Sequence, residues 1–326
     1  MINNKNTKLR QICLISMFFL LSACKHQSST PVQMQQLPVK ASGATQVRSV
    51  AAFQCIHARG NINLTVHTGY RQPQVILRGD PRDLQQVKTV VVNGKLHLEI
   101  GKGFPRFGAI MADVRGKYLN DLNYIGQGRI FGNNLNSGLL NVYIDNGGST
   151  TLQGNLVINQ LTVKGGGSAT INGVSSQMLH VQLGERAKVQ LTGKANLSHL
   201  DLDGQGWFSL YWVDSDMLTI RARGDSTILL AGITKKMDVE LWDKACFKGR
   251  YLRAKRAFVK THGASIAQIS SVDRQHTLAS DNSDIYFYNI PEMRTDFMAF
   301  NGSVLDMREW SQFRLRDYDL YNKMIF

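Results

Sequence analysis

The chain has 326 residues, of which 43% are hydrophobic and 19% are charged, so it is too apolar to be disordered as a whole and long enough to bury a sizeable core. Its formal net charge of +14 suits anionic partners such as lipid headgroups, lipopolysaccharide phosphates or acidic glycans, although a generally solvated basic surface would give the same value. No nucleic-acid-binding motif accompanies the charge, so no specific nucleic-acid partner is expected.

Residues 1–23 have the order of parts found in a bacterial lipoprotein signal peptide. Three cations lie within the first ten residues, and the mostly apolar stretch that follows them is too short to span a bilayer. The stretch ends in Leu-Ser-Ala-Cys, which resembles the lipobox of bacterial lipoproteins and implies lipid attachment at Cys24 after cleavage behind Ala23. The alternative is a secretory signal without lipid, in which Cys24 occurs by chance. Lys25 follows instead of Asp, which by the same resemblance permits sorting to the outer membrane.

Residues 24–46 are rich in Ser, Gln, Thr and Pro and lack a sustained apolar pattern, so we predict a flexible tether between the membrane and a folded domain. The protein is then exported and anchored by lipid, at the periplasmic face of the outer membrane or at the cell surface. Its expected partners are the membrane, through the anchor at Cys24, and an anionic glycan, lipopolysaccharide or an envelope protein, through the folded domain.

The folded domain is predicted over residues 47–306. Its first part contains short alternating runs separated by turns, and Asn93-Gly94 is typical of a β-hairpin. Three motifs follow one another in this part: Gly60-Asn61-Ile62-Asn63-Leu64, Gly79-Asp80 and Asn93-Gly94-Lys95-Leu96.

This order of motifs resembles the opening of the bacterial head-GIN domain, also described as a putative auto-transporter adhesin domain. The resemblance extends over residues 47–306 and implies a right-handed parallel β-helix in an exported protein. It carries no catalytic motif over to this chain. One departure is that this chain is more basic, and richer in large aromatic side chains, than we expect of the family.

From residue 122 to residue 306, a strand–turn–strand unit recurs every 18 to 21 residues. The alternation between turns is twofold, and no stretch has helical periodicity. The predicted turns lie near Gly128, Gly147, Gly166, Gly184, Gln205, Gly224, Lys244, Gly263, Asn282 and Asn301. A fixed period near 20 predicts an all-β fold, a β-solenoid of about ten rungs, where a rung is one complete repeat of the coil. An antiparallel sandwich with evenly spaced strands is the alternative.

The positions three residues past each turn form an uncharged column. Its members are Phe131, Thr150, Ala169, Ala187, Phe208, Thr227, Phe247, Ile266, Ile285 and Val304. Because side chains alternate across a strand, we expect this column to point into the solenoid and to stack from rung to rung.

The remaining cysteines are Cys55 and Cys246. They lie far apart along the predicted solenoid, so two buried free thiols are favoured over a disulfide. After residue 306 the repeat ends. Residues 307–326 are charged and aromatic, and we predict that they cap the open edge of the last rung. A docking peptide for a partner is the alternative.

The acidic residues give a weak indication of catalysis. Asp201, Asp203, Asp225, Asp243, Asp281 and Asp284 recur on or near the turns. An aspartate in a turn usually caps its own backbone, so a structural role is favoured over general acid–base chemistry. The histidines lack the spacing of metal ligands, and no phosphate- or dinucleotide-binding motif is present. We therefore expect no metal, no cofactor and no enzymatic activity.

The tryptophans are the residues that could contact a ligand. Trp207, Trp212 and Trp242 could stack on sugar rings if they lie on the outer face of the solenoid, whereas Phe208 belongs to the inward column. Packing in the core or at its rim is the alternative for each tryptophan. The resulting prediction is a non-enzymatic envelope lipoprotein for surface display, adhesion or scaffolding. A polysaccharide-active β-helix enzyme and a structural subunit of an envelope complex are the alternatives.

Overall fold

The computed structural model describes residues 43–288 and 294–307, and it is nearly all-β, with 74% strand and 2% helix. The predicted signal peptide, Cys24, most of the tether and residues 308–326 of the predicted cap lie outside the described residues. Within the described part, no helix combines the length and the apolar character needed to cross a membrane.

The N-terminal part of the fold is built from eight short strands and one short helix. They are β1 (Ala44–Ser49), β2 (Cys55–Arg59), β3 (Ile62–His67), β4 (Gln74–Gly79), α1 (Pro81–Leu84), β5 (Lys88–Val92), β6 (Lys95–Glu99), β7 (Ile110–Arg115) and β8 (Asp121–Gly126). The first described strand thus begins at Ala44, three residues before the predicted start of the folded domain. The predicted hairpin is confirmed: β5 and β6 pair antiparallel about Asn93 and Gly94, which both have positive φ.

The antiparallel strands close the N-terminal end of the solenoid. β4 pairs antiparallel with both β1 and β7, and β5 pairs antiparallel with β6. The order of the parallel strands along the solenoid differs from their order in the sequence. β2 lies between β6 and β8, and β3 lies between β7 and β9. The later strands β6 and β7 therefore lie outside β2 and β3, and β1, β4 and β5 lie outside β6 and β7.

From residue 130 to residue 280, each strand is long enough to travel most of the way around the solenoid, and three shorter strands follow. These strands are β9 (Ile130–Asn146), β10 (Ser149–Lys164), β11 (Ser168–Glu185), β12 (Lys188–Gly204), β13 (Trp207–Gly224), β14 (Thr227–Leu241), β15 (Cys246–Thr261), β16 (Ile266–Ser280), β17 (Asp284–Phe287), β18 (Arg294–Phe300) and β19 (Ser303–Asp306). Each strand from β9 to β15 pairs in parallel with the next one, β16 pairs in parallel with both β17 and β18, and β17 pairs in parallel with β19. The predicted β-solenoid is confirmed, with about nine rungs against the ten expected.

In β10, β11 and β12 the pairing register shifts at two corners, whereas β14 pairs with each of its neighbours with a single shift. The corners divide a rung into a first, a second and a third stretch; in β12 these are residues 188–192, 193–197 and 198–204. The turns fall within two residues of the predicted positions, because bends or turns occur at residues 127–128, 147–148, 165–166, 186, 205, 225, 243–244, 263–264, 281–282 and 302.

The inward column of the first stretch follows the prediction at most rungs. Its register partners are Ile130, Thr150, Ala169, Val189, Phe208, Ile228, Phe247, Ala267, Ile285 and Val304. The prediction was wrong at Phe131, Thr227 and Ile266, where the neighbouring residue points inward instead, and Phe131 is 47% exposed. Ala187 is buried but lies two residues before the column. The turns differ in length by one residue, and a slip of one residue moves a side chain to the other face.

Glycines at the first corner allow successive rungs to approach closely. Gly154, Gly173, Gly193 and Gly232 all have positive φ. A Cβ atom added to Gly193 would lie 2.1 Å from the carbonyl oxygen of Val174 on the preceding rung. These positions therefore require glycine for both conformation and space.

Aspartates at the turns bind the backbone of the preceding rung. The Asp243 carboxylate accepts a hydrogen bond from the Gly224 amide at 3.1 Å, and the Asp281 carboxylate accepts one from Gly263 at 3.1 Å. Both aspartates have positive φ, at 60°. These two residues therefore have the structural role expected of acids in turns.

We expect Gly193→Ala to lower the free energy of unfolding by at least about 1–3 kcal/mol, because the new methyl group would be strained in φ and would collide with the backbone of Val174. Thermal denaturation followed by circular dichroism measures the change. Gly138→Ala is the matched control, since a Cβ atom there meets nothing within 4 Å. Equal melting temperatures for the two variants would contradict the assignment of the corner.

Candidate functional site

The outer face of the third stretch carries a ladder of alternating charge. Asp201, Arg221, Glu240 and Lys260 are register partners on four successive rungs. Neighbouring strands are about 4.8 Å apart, so each charge in the series lies next to an opposite one. We call these four residues the alternating ladder.

Arg221 is the centre of the ion pairs on this face. Its Nη2 atom lies 2.9 Å from Oδ2 of Asp238, and its Nε atom lies 3.4 Å from Oε2 of Glu240. The hydrogen bond with Asp238 raises the pKa of Arg221 above its ordinary value, and the charges of Glu240 and Asp201 act in the same direction. The carboxylates thus serve as partners of an arginine, an arrangement that favours a structural role over acid–base catalysis.

An open groove of about 520 Å³ lies beside the alternating ladder. Its lining includes Asp201, Asp203, Arg221, Arg223, Glu240 and Trp242. The groove therefore brings the predicted contact Trp242 together with the two aspartates that the sequence singles out on one rung. Neither Trp207 nor Trp212 lines it.

Protein groups occupy both faces of the Trp242 ring. The Arg223 guanidinium lies over the ring at 4.5 Å from its centroid, and the His262 ring stacks on it at 6.0 Å with an interplanar angle of 18°. These two residues belong to the rungs on opposite sides of Trp242. A sugar could therefore reach the edge of the indole, but stacking on its face requires one of the two neighbours to move.

The other two tryptophans lie on the first stretch of β13. Trp207 is half-buried on the outer face, between Lys188 and Thr227 in register, and Trp212 is 37% exposed at the corner that follows. Phe208 is fully buried, as predicted. The three tryptophans do not converge on one site, so their role in ligand contact stays a prediction for each residue separately.

A second groove, of about 340 Å³, combines aromatic rings with cations. Its lining includes Tyr211, Lys248, Arg250, Tyr251, Gln268 and Tyr288, and we call it the tyrosine groove. The Arg250 guanidinium lies 4.5 Å from the centroid of the Tyr288 ring and 5.5 Å from that of the Tyr251 ring. Aromatic rings and guanidinium groups around an open concavity are suited to a saccharide, and the cations favour one that carries negative charge.

A bulge in β15 contributes two residues to the lining of the tyrosine groove. Lys248 opposes Gln268 on the next rung, but Arg253 opposes Ser270, so β15 holds extra residues between them. Arg250 and Tyr251 lie within this insertion. Bulges are common beside functional sites because they re-aim side chains. The sequence contains no marker for this groove, since it depends on an irregular register between strands about 20 residues apart.

The described residues contain no group of three or more His, Cys, Asp or Glu side chains that could hold a metal ion. Cys55 and Cys246 are both free, as predicted, but the prediction that they are buried was wrong, because each is only half-buried. Burial raises the pKa of each thiol above its ordinary value, and the charge of Asp121 adds to the effect at Cys55. A raised thiol pKa opposes use as a nucleophile, because the thiolate is the reactive form.

The sequence profile of one family matches most of the chain. The family is described as "Putative auto-transporter adhesin, head GIN domain", and its profile matches residues 52–206 and 174–291. No protein of curated function matches the chain.

The solved structures similar to this one include two putative adhesins from Parabacteroides species. The protein from Parabacteroides distasonis ATCC 8503 is 14% identical with a TM-score of 0.49, covering 82% of this chain and 98% of its own. The protein from Parabacteroides merdae ATCC 43184 is 14% identical with a TM-score of 0.45, covering 82% and 97%. A putative lipid binding protein from P. distasonis ATCC 8503 is 16% identical with a TM-score of 0.41, covering 82% and 97%. Similarity at this level carries no functional argument.

We expect Cys246 to react slowly with iodoacetamide at pH 7 and faster as the pH rises, because burial raises the pKa of its thiol and keeps it protonated at neutral pH. Mass spectrometry of residues 41–326 carrying Cys55→Ser measures the rate at a single thiol. The same protein in denaturant is the control and should react at the rate of an ordinary thiol. A native rate at pH 7 equal to the denatured rate would contradict the raised thiol pKa.

Proposed function

Because the chain belongs to the head GIN domain family of putative auto-transporter adhesins, we propose that it is a non-enzymatic recognition module displayed at the cell envelope. The ligand class that its surface suits best is a saccharide of the envelope, such as an acidic glycan or the sugar part of lipopolysaccharide. Adhesion or scaffolding then follows from binding such a ligand on a rigid solenoid.

The tyrosine groove is the observation that carries this proposal. The Arg250 guanidinium lies near the rings of both Tyr251 and Tyr288 in a solvent-open concavity, which Lys248 also lines. Aromatic faces contact the apolar side of a sugar ring, while cations bind its acidic substituents. The arrangement offers aromatic and cationic contacts to a ligand. Among the described residues, the lining includes no carboxylate that could act as the acid or the base in hydrolysis.

The charge pattern around the other groove supports a non-enzymatic role. Glycoside hydrolysis requires one carboxyl group as an acid and a second as a base or nucleophile. In the 520 Å³ groove, Glu240 forms an ion pair with Arg221, and the other two carboxylates, Asp201 and Asp203, lie opposite Arg221 and Arg223 in register. The family description likewise names an adhesin.

The N-terminal sequence supports display through a lipid. We propose that Cys24 is lipidated after removal of residues 1–23, that the residues up to β1 act as a tether, and that Lys25 directs the protein to the outer membrane. The folded domain then presents its grooves to the periplasm or to the outside of the cell.

We expect Tyr288→Ala and Arg250→Ala each to weaken saccharide binding by about tenfold, because each removes an aromatic face or a cation from the tyrosine groove. The protein is screened against envelope glycans, lipopolysaccharide and peptidoglycan fragments at low and at high salt, and hydrolysis products are monitored in the same wells. Calorimetry then measures the affinity for the best ligand.

Tyr118→Ala is the matched control, since Tyr118 is 53% exposed in the segment before β8 and does not line the groove. Trp212→Ala tests the predicted contact beside Tyr211. Product formation would overturn the non-enzymatic role. Binding that both groove variants retain in full would remove the tyrosine groove from the proposal.

We expect Cys24→Ala to release the protein from the membrane fraction, because the lipid attached to this cysteine is the proposed anchor. Metabolic labelling with palmitate and fractionation of the expressing cells measure the change. Cys13→Ala is the control, since residue 13 is removed with the signal peptide. Labelling that persists in Cys24→Ala would contradict the assignment.

A further inference from the structure

The corner between the second and third stretches carries three cations in register. Lys236, Arg256 and Arg274 are Cα partners on β14, β15 and β16, and all three are exposed. Arg294 of β18 has the next position in the same register. We call Lys236, Arg256 and Arg274 the cation ladder.

Nearby carboxylates compensate this charge only in part. Asp273 lies 3.4 Å from Nε of Arg256, and Asp216 lies 2.6 Å from Nζ of the flanking Lys235. Lys236, Lys255 and Arg274 form no ion pair with a carboxylate of the described residues. The charge of five cations on this corner is therefore balanced by only two nearby carboxylates. The cations are Lys235, Lys236, Lys255, Arg256 and Arg274, and the carboxylates are Asp216 and Asp273.

The alternating ladder on the adjoining stretch shows that the fold can neutralise stacked charges. There, Asp201, Arg221, Glu240 and Lys260 alternate in sign from rung to rung. In the cation ladder, neighbours about 4.8 Å apart have the same sign, which destabilises the free protein. An anion lying across the rungs would remove this repulsion.

We propose that the cation ladder binds a linear acidic glycan, whose chain runs along the solenoid axis and presents one carboxylate, sulfate or phosphate group after another to successive rungs. Parallel stacking repeats the cation at each rung, so the protein matches a polymer better than a single small anion. Arg256 and Arg274 can each bind a carboxylate or phosphate in a bidentate manner, and Lys236 adds a point charge.

The cation ladder is a separate site from the tyrosine groove, since none of its members lines that groove. The choice of a glycan over a nucleic acid rests on the proposed envelope location. The charge pattern itself is independent of that location, so the ladder can be tested alone.

The test uses the full-length protein purified in a non-ionic detergent, with polygalacturonate and heparin as acidic glycans and a single-stranded DNA oligonucleotide as the rival polymer. Calorimetry measures affinity at two salt concentrations, and a thermal melt is recorded with and without each polymer. We expect Lys236→Gln combined with Arg274→Gln to weaken glycan binding by about tenfold or more. The melting temperature of this variant without polymer should be unchanged or higher, because like-charge repulsion is relieved.

Arg186→Gln combined with Lys188→Gln is the matched control: it removes the same charge from two exposed residues of another rung that form no ion pair among the described residues. Retained glycan affinity in this control supports the ladder. An equal loss in both double variants would reduce the binding to net charge and overturn the proposal, as would absence of glycan binding by the wild type. Tighter binding of the oligonucleotide than of either glycan would replace the glycan with a nucleic acid.

Arg250→Ala separates this inference from the proposed function. If Arg250→Ala keeps its affinity for the acidic polymers while the ladder variant loses it, binding at the cation ladder is supported, whether or not the tyrosine groove binds a saccharide. If Arg250→Ala alone abolishes binding of the polymers, the cation ladder is rejected.

Discussion

The register between neighbouring rungs is the constraint on which the rest of this structure depends. Each rung is held by the parallel ladder of backbone hydrogen bonds to the rung before it, so the position of a residue in one rung determines which residue lies above it in the next. Inward positions become a continuous core, and outward positions become continuous lines of side chains. A single rung has neither a continuous core nor a continuous line of outward side chains, and it buries too little surface to be stable alone.

The register also explains where the conformational demands fall. At the first corner, glycine repeats where the backbone of one rung passes close to that of another, as at Gly154 beside Leu135 and Gly193 beside Val174. At the turns, residues with positive φ recur in the same place, and where an aspartate takes that place its carboxylate binds the amide of the preceding rung. The conformational constraints on the backbone thus fall on glycines at the corner and on a few residues at the turns. The outward lines of side chains are free of these constraints and can vary.

The sequence is sufficient to predict the architecture but not the details that shape the surface. Period, alternation and turn residues locate the rungs, because these features are local, and Phe208 and Phe247 lie in the core as expected. The predicted inward column is wrong at Phe131 and Thr227, because the turn before each of them is one residue longer or shorter than the prediction assumes. Periodicity gives no indication that β2 and β3 are inserted between later strands, since that depends on pairing across more than fifty residues. The tyrosine groove arises from a bulge in β15, and Trp242 is enclosed by Arg223 and His262 only because register stacks them.

The closed N-terminal end has an implication for how such a protein changes its size. Among the described residues, the outermost strands at that end, β1 and β5, pair antiparallel with their neighbours, so the parallel stacking of rungs stops there. Farther along, each rung contacts mainly its two neighbours, and one rung can be duplicated or lost as a unit provided that the residues above and below still match. Length is therefore the property of this fold that evolution can alter most easily. Each duplicated rung would also lengthen every line of outward side chains by one position, so the reach of a binding surface would grow in steps of one strand spacing.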